Sequence, residues 1–223
     1  VKKEGKEITI KQYCLNPARS LTRMLQMGKA AVFFSATLTP IRYFTDLLLE
    51  GECTKKIALP SPFDSHRAKL LIHCGIDTRY RMRYASIDPI TCAIVTTITQ
   101  KCGNYIVFFP SYAYLKQVAD HFAQAYPDIH LEIQESDMDE EKRQSFLTLF
   151  QNHDETMVCF CVLGGMFAEG IDFKGKSLIG VIVVGVGLPQ INEESNLLRD
   201  HFEQIYGKGY AYAYQYPGMN KVL

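Results

Sequence analysis

The chain has 223 residues, 47% apolar and 22% charged, which suits one large globular domain or one domain with part of another. These proportions exclude a disordered chain, a collagen and a coiled coil, and no run approaches the roughly 18 apolar residues a membrane helix needs. Twenty-four basic residues balance 24 acidic ones, so any pull on nucleic acid or membrane has to come from a local patch. In chain order, Ile8–Cys14 suits a short strand. Asn16-Pro17 is a helix start, with Asn as cap and Pro at the first helical position. Leu21, Met24, Leu25 and Met27 give that helix its stripe and Gly28 its stop. Ala30–Phe34 reads as a buried strand. Thr39-Pro40 repeats the start device for a helix ending near Gly51. The turn-rich stretch 52–67, with Pro60 and Pro62, marks a boundary.

Beyond it, Lys69–Cys74 reads as a strand and Ile87–Lys101 as a helix. Strands at Tyr105–Phe109, His130–Gln134, Met157–Leu163 and Leu178–Val186 then alternate with helices at Ser111–Tyr126, Asp139–Asn152 and Asn192–Tyr206. An aromatic segment, Tyr210–Tyr216, follows. Short apolar strands between helices predict an α/β fold, a parallel sheet with helices on both faces. Ligands of such sheets bind at the carboxyl ends of the strands, so the loops after Phe109, Leu163 and Val186 are the places to look.

The opening VKKEGKE holds no signal peptide, and a start at Val1 reads as a segment cut from a longer protein. Seven dispersed cysteines, an odd number, predict free thiols buried in apolar runs and a reducing, cytoplasmic setting. Cys159 and Cys161 lie two apart in a strand and share one face, which is a packing pattern. The six histidines show no ligand spacing, so no metal site is expected. The tyrosines at 206, 210, 212, 214 and 216 suggest base stacking, or, more simply, packing of a terminal helix.

Gly170-Ile-Asp-Phe-Lys-Gly175-Lys176-Ser177 matches the phosphate-loop pattern G-x-x-x-x-G-K-[ST]. A phosphate loop needs a helix directly after it, because the helix N-terminus supplies amides and dipole. Here Leu178–Val186 holds four valines and two isoleucines and reads as a strand, so the expectation is a turn between strands. A helix starting at Ser177 would support the alternative, a stand-alone nucleotide-binding protein using Gly170–Ser177.

Taken with its neighbours, the same segment resembles something else. Glu169-Gly-Ile-Asp-Phe-Lys-Gly175, followed by an apolar strand and Gly187-Leu-Pro189, resembles motif V of superfamily 2 helicases of the XPD/DinG type. Phe33-Phe-Ser35-Ala-Thr37-Leu38 resembles motif III, Val107-Phe-Phe-Pro-Ser111-Tyr112 resembles motif IV, and Ser61-Pro-Phe63 the link between them. Tyr216–Leu223 resembles the stretch that runs into motif VI, whose arginines would follow Leu223.

This resemblance implies a RecA-like fold and a parent enzyme that is an ATP-dependent DNA helicase, in DNA repair. It implies ATP and Mg2+ held mainly by a first motor domain, with single-stranded DNA and that domain as partners and no membrane. Residues 1–60 would end the first motor domain and 61–223 form most of the second, with no catalytic residue inside the segment itself. Ser35, Thr37, Glu169, Gly170 and Asp172 would couple nucleotide state to strand grip. Ser111, Tyr112, Gly164 and Gly165 would contact the nucleic acid. Plainer readings stand beside these: Asp172 as a turn residue, Glu169 as a solvated charge, Ser111 as a helix cap, and Ser35 and Thr37 as packed hydroxyls. A catalytically inactive RecA-like interaction module is the other functional alternative.

Overall fold

The computed structural model describes residues 2–4, 7–51, 55–151, 154–168 and 171–223. Its elements in chain order are β1 (Lys2–Glu4), β2 (Glu7–Thr9), α1 (Ala18–Leu25), α2 (Ile41–Leu48), α3 (Arg83–Ile98), β3 (Asn104–Phe109), α4 (Tyr112–Ala125), β4 (His130–Ile133), α5 (Glu140–Leu149), β5 (Met157–Val162), β6 (Gly180–Val183), α6 (Glu193–Tyr206) and α7 (Tyr216–Met219). A single π-helical turn, Ala211–Gln215, leads into α7. The chain divides into two units: Val1–Asp64 with Leu188–Lys221 and Leu223, and Ser65–Gly187 with Val222. Among the described residues, no helix is long and apolar enough to cross a membrane.

The second unit is the α/β unit. Its four strands are all parallel, in the order β4-β5-β3-β6. Strand alternation splits its apolar residues between two faces. Tyr105, Val107 and Phe109 of β3 and Val158 and Phe160 of β5 meet α3 and α4 through Ile90, Ile94, Leu115, Val118 and Phe122. Ile106, Phe108, Cys159 and Cys161 point the other way, to Phe146 and Phe150 of the α5 segment and to Leu163 and Phe167 of the loop after β5. Each large side chain enclosed this way contributes about 1.5–3 kcal/mol, so the sheet is fixed from both sides. The shared face of Cys159 and Cys161 is as expected. Burial pushes the Cys161 thiol up to about 12, and the Cys159 thiol upward too, with the Cys161 and Glu132 charges adding to it.

Start signals work as read for several helices. Ser111 Oγ accepts from the Tyr114 amide, Asp139 from Lys142, and Asn192 forms a reciprocal box with Ser195. Asn16 Oδ1 accepts from the Ala18 amide at 2.9 Å, just ahead of α1.

In the first unit, α2 meets the aromatic segment. Tyr43 lies 5.4 Å from Tyr212 and 5.1 Å from Tyr216, ring centre to ring centre. Tyr212 donates its hydroxyl to Asp46, and Phe202, Tyr206 and Tyr212 stack on one another. Tyr212 and Tyr214 are buried, so packing accounts for them; Tyr210 is the exposed member.

Four expectations are corrected. Ala30–Phe34 and Lys69–Cys74 are not strands; both run exposed and irregular, with Phe34 and Leu70 among the most exposed apolar residues. A strand exists only by pairing, and no described segment offers either stretch an edge. The strand expected at Ile8–Cys14 is limited to Glu7–Thr9, paired antiparallel with β1. The cysteines are not uniformly buried: Cys14, Cys74, Cys92 and Cys102 are exposed, and only Cys159 and Cys161 among the described residues lie in the core.

Candidate functional site

Because the four strands are parallel, their carboxyl ends share one edge. In register, Phe109 lies beside Val162, Ile133 beside Phe160, and Phe108 beside Val183. The residues that follow each strand, Ser111, Gln134, Gly164 and Gly185, therefore form a row across the sheet.

Ser111 caps α4. Its Oγ accepts from the Tyr114 amide at 3.4 Å and from Arg83 Nη1 at 3.3 Å. A hydroxyl has two lone pairs and one proton, so with both pairs engaged its proton is left to donate outward. Tyr112, the first residue of α4, is 38% exposed, and its hydroxyl accepts from Gln134 Nε2 at 2.9 Å. Burial, followed by the Cys161 and Asp137 charges, raises the Tyr112 pKa, so this phenol also keeps a proton to donate at neutral pH.

The Gly164-Gly165 turn stands next to them. Gly164 has φ +69°, a left-handed conformation that favours glycine. Gly165 is required by space: a Cβ there would lie 3.0 Å from both Gln134 Nε2 and the Val162 carbonyl oxygen.

Two residues that the sequence reading did not single out organise this edge. Gln134 is only 2% exposed and fully engaged. Its amide donates to the Phe160 carbonyl at 2.8 Å, its Oε1 accepts from the Val162 amide at 3.0 Å, and its Nε2 reaches Tyr112. Arg83, at the start of α3, bonds Ser111 and lies over the Tyr114 ring at 4.9 Å and the Tyr80 ring at 5.3 Å. Tyr114 in turn shares a 2.5 Å hydrogen bond with Ser86. A cation in the first turn of a helix opposes the helix dipole, and that misfit was the available signal for Arg83. For Gln134 the signal was a polar residue directly after a strand of a parallel sheet.

The remaining candidates lie elsewhere. Asp172 is exposed between Ile171 and Phe173, which pack inward; Phe173 lies 4.7 Å from Phe150, ring centre to ring centre. Ser35 and Thr37 belong to the other unit, where the Thr37 amide donates to Ser35 Oγ at 3.3 Å. Glu169 and Gly170 lie outside the described residues.

The phosphate-loop alternative is overturned. The Ser177 amide donates back to the Lys174 carbonyl at 3.2 Å, and the chain runs on into β6, so no helix N-terminus follows the turn. The described residues also contain no group of three or more metal-ligating side chains. The donor set present does not fit a nucleotide–magnesium cradle within this segment.

Comparisons with known proteins bear on the family. Over 215 residues the chain is 21% identical to the ATP-dependent DNA helicase CHL1 of Coccidioides immitis, covering 85% of this chain and 25% of that protein. It is 22% identical to the ATP-dependent DNA helicase DDX11 of Mus musculus, covering 86% and 24%. The chain thus spans about a quarter of the length of the curated relatives it matches. Two solved structures, described as XPD_APO and XPD_Helicase, share its fold with TM-scores of 0.53 and 0.52 at 18% and 16% identity. Each covers 66% of this chain, which represents 30% and 26% of theirs. The helicase C-terminal domain family matches residues 94–223. That is more than half the chain, and it takes in both Ser111-Tyr112 and Gly164-Gly165: the chain belongs to the helicase C-terminal domain family, in its XPD/DinG-type superfamily 2 branch.

Proposed function

We propose that this chain is the strand-gripping half of an ATP-driven DNA helicase motor. The observation that carries the reading is that Gln134 bonds the Tyr112 hydroxyl at 2.9 Å and the amide of Val162, two residues before Gly164, at 3.0 Å, at the carboxyl edge of the sheet. Two outward hydroxyl protons beside a glycine turn suit the oxygens of a nucleic-acid backbone, which hydroxyls and close-approaching amides commonly bind. Tyr112 and Ser111 would each take a phosphate oxygen, and the Gly164-Gly165 backbone would approach where a side chain would block it.

In this proposal residues 1–60 end the first motor domain and 61–223 make up most of the second. ATP and Mg2+ bind mainly to the first domain. Ser35, Thr37, Glu169, Gly170 and Asp172 would couple the nucleotide's state to the grip. The segment alone turns over no ATP. Work on DNA in repair, inside a reducing cell compartment, belongs to the same proposal.

Fluorescence anisotropy with a labelled oligothymidylate tests it. The chain should bind weakly, with affinity falling as salt rises. Ser111→Ala should weaken binding about three- to tenfold without lowering the unfolding midpoint by more than a lost cap, about 1 kcal/mol. Binding unchanged in Ser111→Ala and in Gly165→Val would reject the grip.

A further inference from the structure

The carboxyl edge continues beyond Ser111, and the continuation has a chemistry of its own. In the segment Asp77-Thr-Arg-Tyr-Arg-Met-Arg-Tyr84, three arginines alternate with Tyr80, Met82 and Tyr84. Both ends of it are pinned to the edge. At one end, Thr78 sits against Gly185 just past β6, so close that a Cβ on Gly185 would lie 2.6 Å from Thr78 Oγ1. At the other end, Arg83 reaches Ser111 Oγ. The segment therefore spans the edge from β6 to β3, alongside the proposed grip.

Its rings face solvent. Tyr80 is 83% exposed and Tyr84 is 87% exposed. Tyr80 is also braced, since Arg83 lies over its ring at 5.3 Å, while the ring's exposure leaves the rest of it to solvent. Charge is distributed unevenly along the segment. Arg79 is paired with Asp77, whose carboxyl is lowered to about 2 by the side-chain and then the backbone hydrogen bonds from Arg79. Arg81 is exposed and has no ion pair among the described residues, so it adds a positive charge beside the open ring.

We propose that Tyr80 is a stacking platform for a base of single-stranded nucleic acid, with Arg81 beside it for the backbone. It would receive the strand as it leaves Ser111. This rests on the proposed grip and extends it from phosphates to bases. A stacking platform takes any base, because every base has a π-face, and a guanidinium behind the ring stiffens it. The shared Arg83 makes platform and phosphate cap one rigid piece.

The test uses the chain with a labelled oligothymidylate, and a second oligomer carrying 5-iododeoxyuridine for photocrosslinking and peptide mapping. Tyr80→Ala should weaken binding about tenfold, within the range expected for losing one base–aromatic stack. Tyr80→Phe should stay within twofold, because the ring is kept. Arg81→Ala should reduce the salt slope by about one. Crosslinks should map to Tyr80 or Tyr84. With Tyr80 so exposed, thermal unfolding should be unchanged in each variant. If Ser111→Ala weakens binding while Tyr80→Ala does not, the grip stands and the platform is rejected. If Tyr80→Ala weakens binding and takes the crosslink while Ser111→Ala changes nothing, the platform stands without the cap. If neither changes binding, or no oligomer binds at low salt, both are rejected.

Discussion

Gln134→Ala is the perturbation that most directly tests how the edge is held. It removes the acceptor of the Val162 amide and the donor to the Tyr112 hydroxyl. The two losses differ in weight. Tyr112 is 38% exposed and can turn to water, so its half of the loss is small. The Val162 amide lies under the Gly164-Gly165 turn, and an enclosed amide without a partner costs about 1–3 kcal/mol. The space left by a fully enclosed carboxamide adds a fraction of that. The sum is about 2 kcal/mol. Gln134→Met separates the contributions, since it fills the space without restoring a hydrogen bond, and should keep most of the loss. Urea unfolding measures the stability, and amide exchange at Val162 locates it, with protection there falling further than in the middle of β5. Oligothymidylate affinity should fall about three- to tenfold as the Tyr112 hydroxyl and the turn come loose. Gly165→Ala, crowded by the same carboxamide at 3.0 Å, should be less damaging on the Gln134→Ala background than on the parent. Unchanged stability in both Gln134 variants, with Val162 exchange as in the parent, would refute the reasoning.

Two further expectations concern the loop between β5 and β6, in a full-length protein carrying both motor domains. If Asp172 couples nucleotide state to strand grip as proposed, Asp172→Ala should lower DNA-stimulated ATPase about ten- to a hundredfold, the weight of one charge-assisted hydrogen bond. Its thermal midpoint should not move, because Ile171 and Phe173 do the packing there; a lowered midpoint with full turnover would make Asp172 a plain turn residue. Lys176→Ala should leave ATPase within a few-fold, and a loss beyond about a hundredfold would reinstate the phosphate-loop reading.

What could be read from the sequence follows from where the information resides. The interior of the sheet was legible, because β3 and β5 are largely apolar runs, and α4 after β3 and α5 before β5 carry Ser111 and Asp139 as caps. Ala30–Phe34 and Lys69–Cys74 are equally apolar but unpaired, and composition cannot say whether a neighbouring edge exists. The start of α3 was placed four residues late, at Ile87 instead of Arg83; Pro89 lies inside the helix. That displacement hid Arg83, and with it the link from Tyr80 to Ser111. Ser111, Tyr112, Gly164 and Gly165 could be named because they lie in the loops just after two strands, within stretches that resemble helicase motifs. Gln134 was missed because the strand was read through it, to His130–Gln134, when it ends at Ile133, and because its three contacts are to distant parts of the chain.

The two edges of the sheet explain why one motif match succeeds and another fails. Asn104 opens β3 at the amino edge, and its buried side chain donates to the Phe150 carbonyl at 3.1 Å and the Ser177 carbonyl at 3.0 Å. The Ile179 amide donates to the Asn104 carbonyl at 3.0 Å, which ties the Lys174–Ser177 turn to the same edge. Six residues of strand separate that edge from Ser111, a distance of about 20 Å at the usual rise. Gly175-Lys176-Ser177 therefore stands at the end of the sheet where parallel folds do not present ligand groups. Asp172 lies partway along the returning loop, held between two inward side chains with its carboxylate outward. The connection is therefore anchored at both edges, by the Gly165 amide on the Val162 carbonyl at one and by the Ser177 amide on the Lys174 carbonyl at the other, and any coupling of Asp172 to Gly164-Gly165, as proposed, has to run between those two anchors.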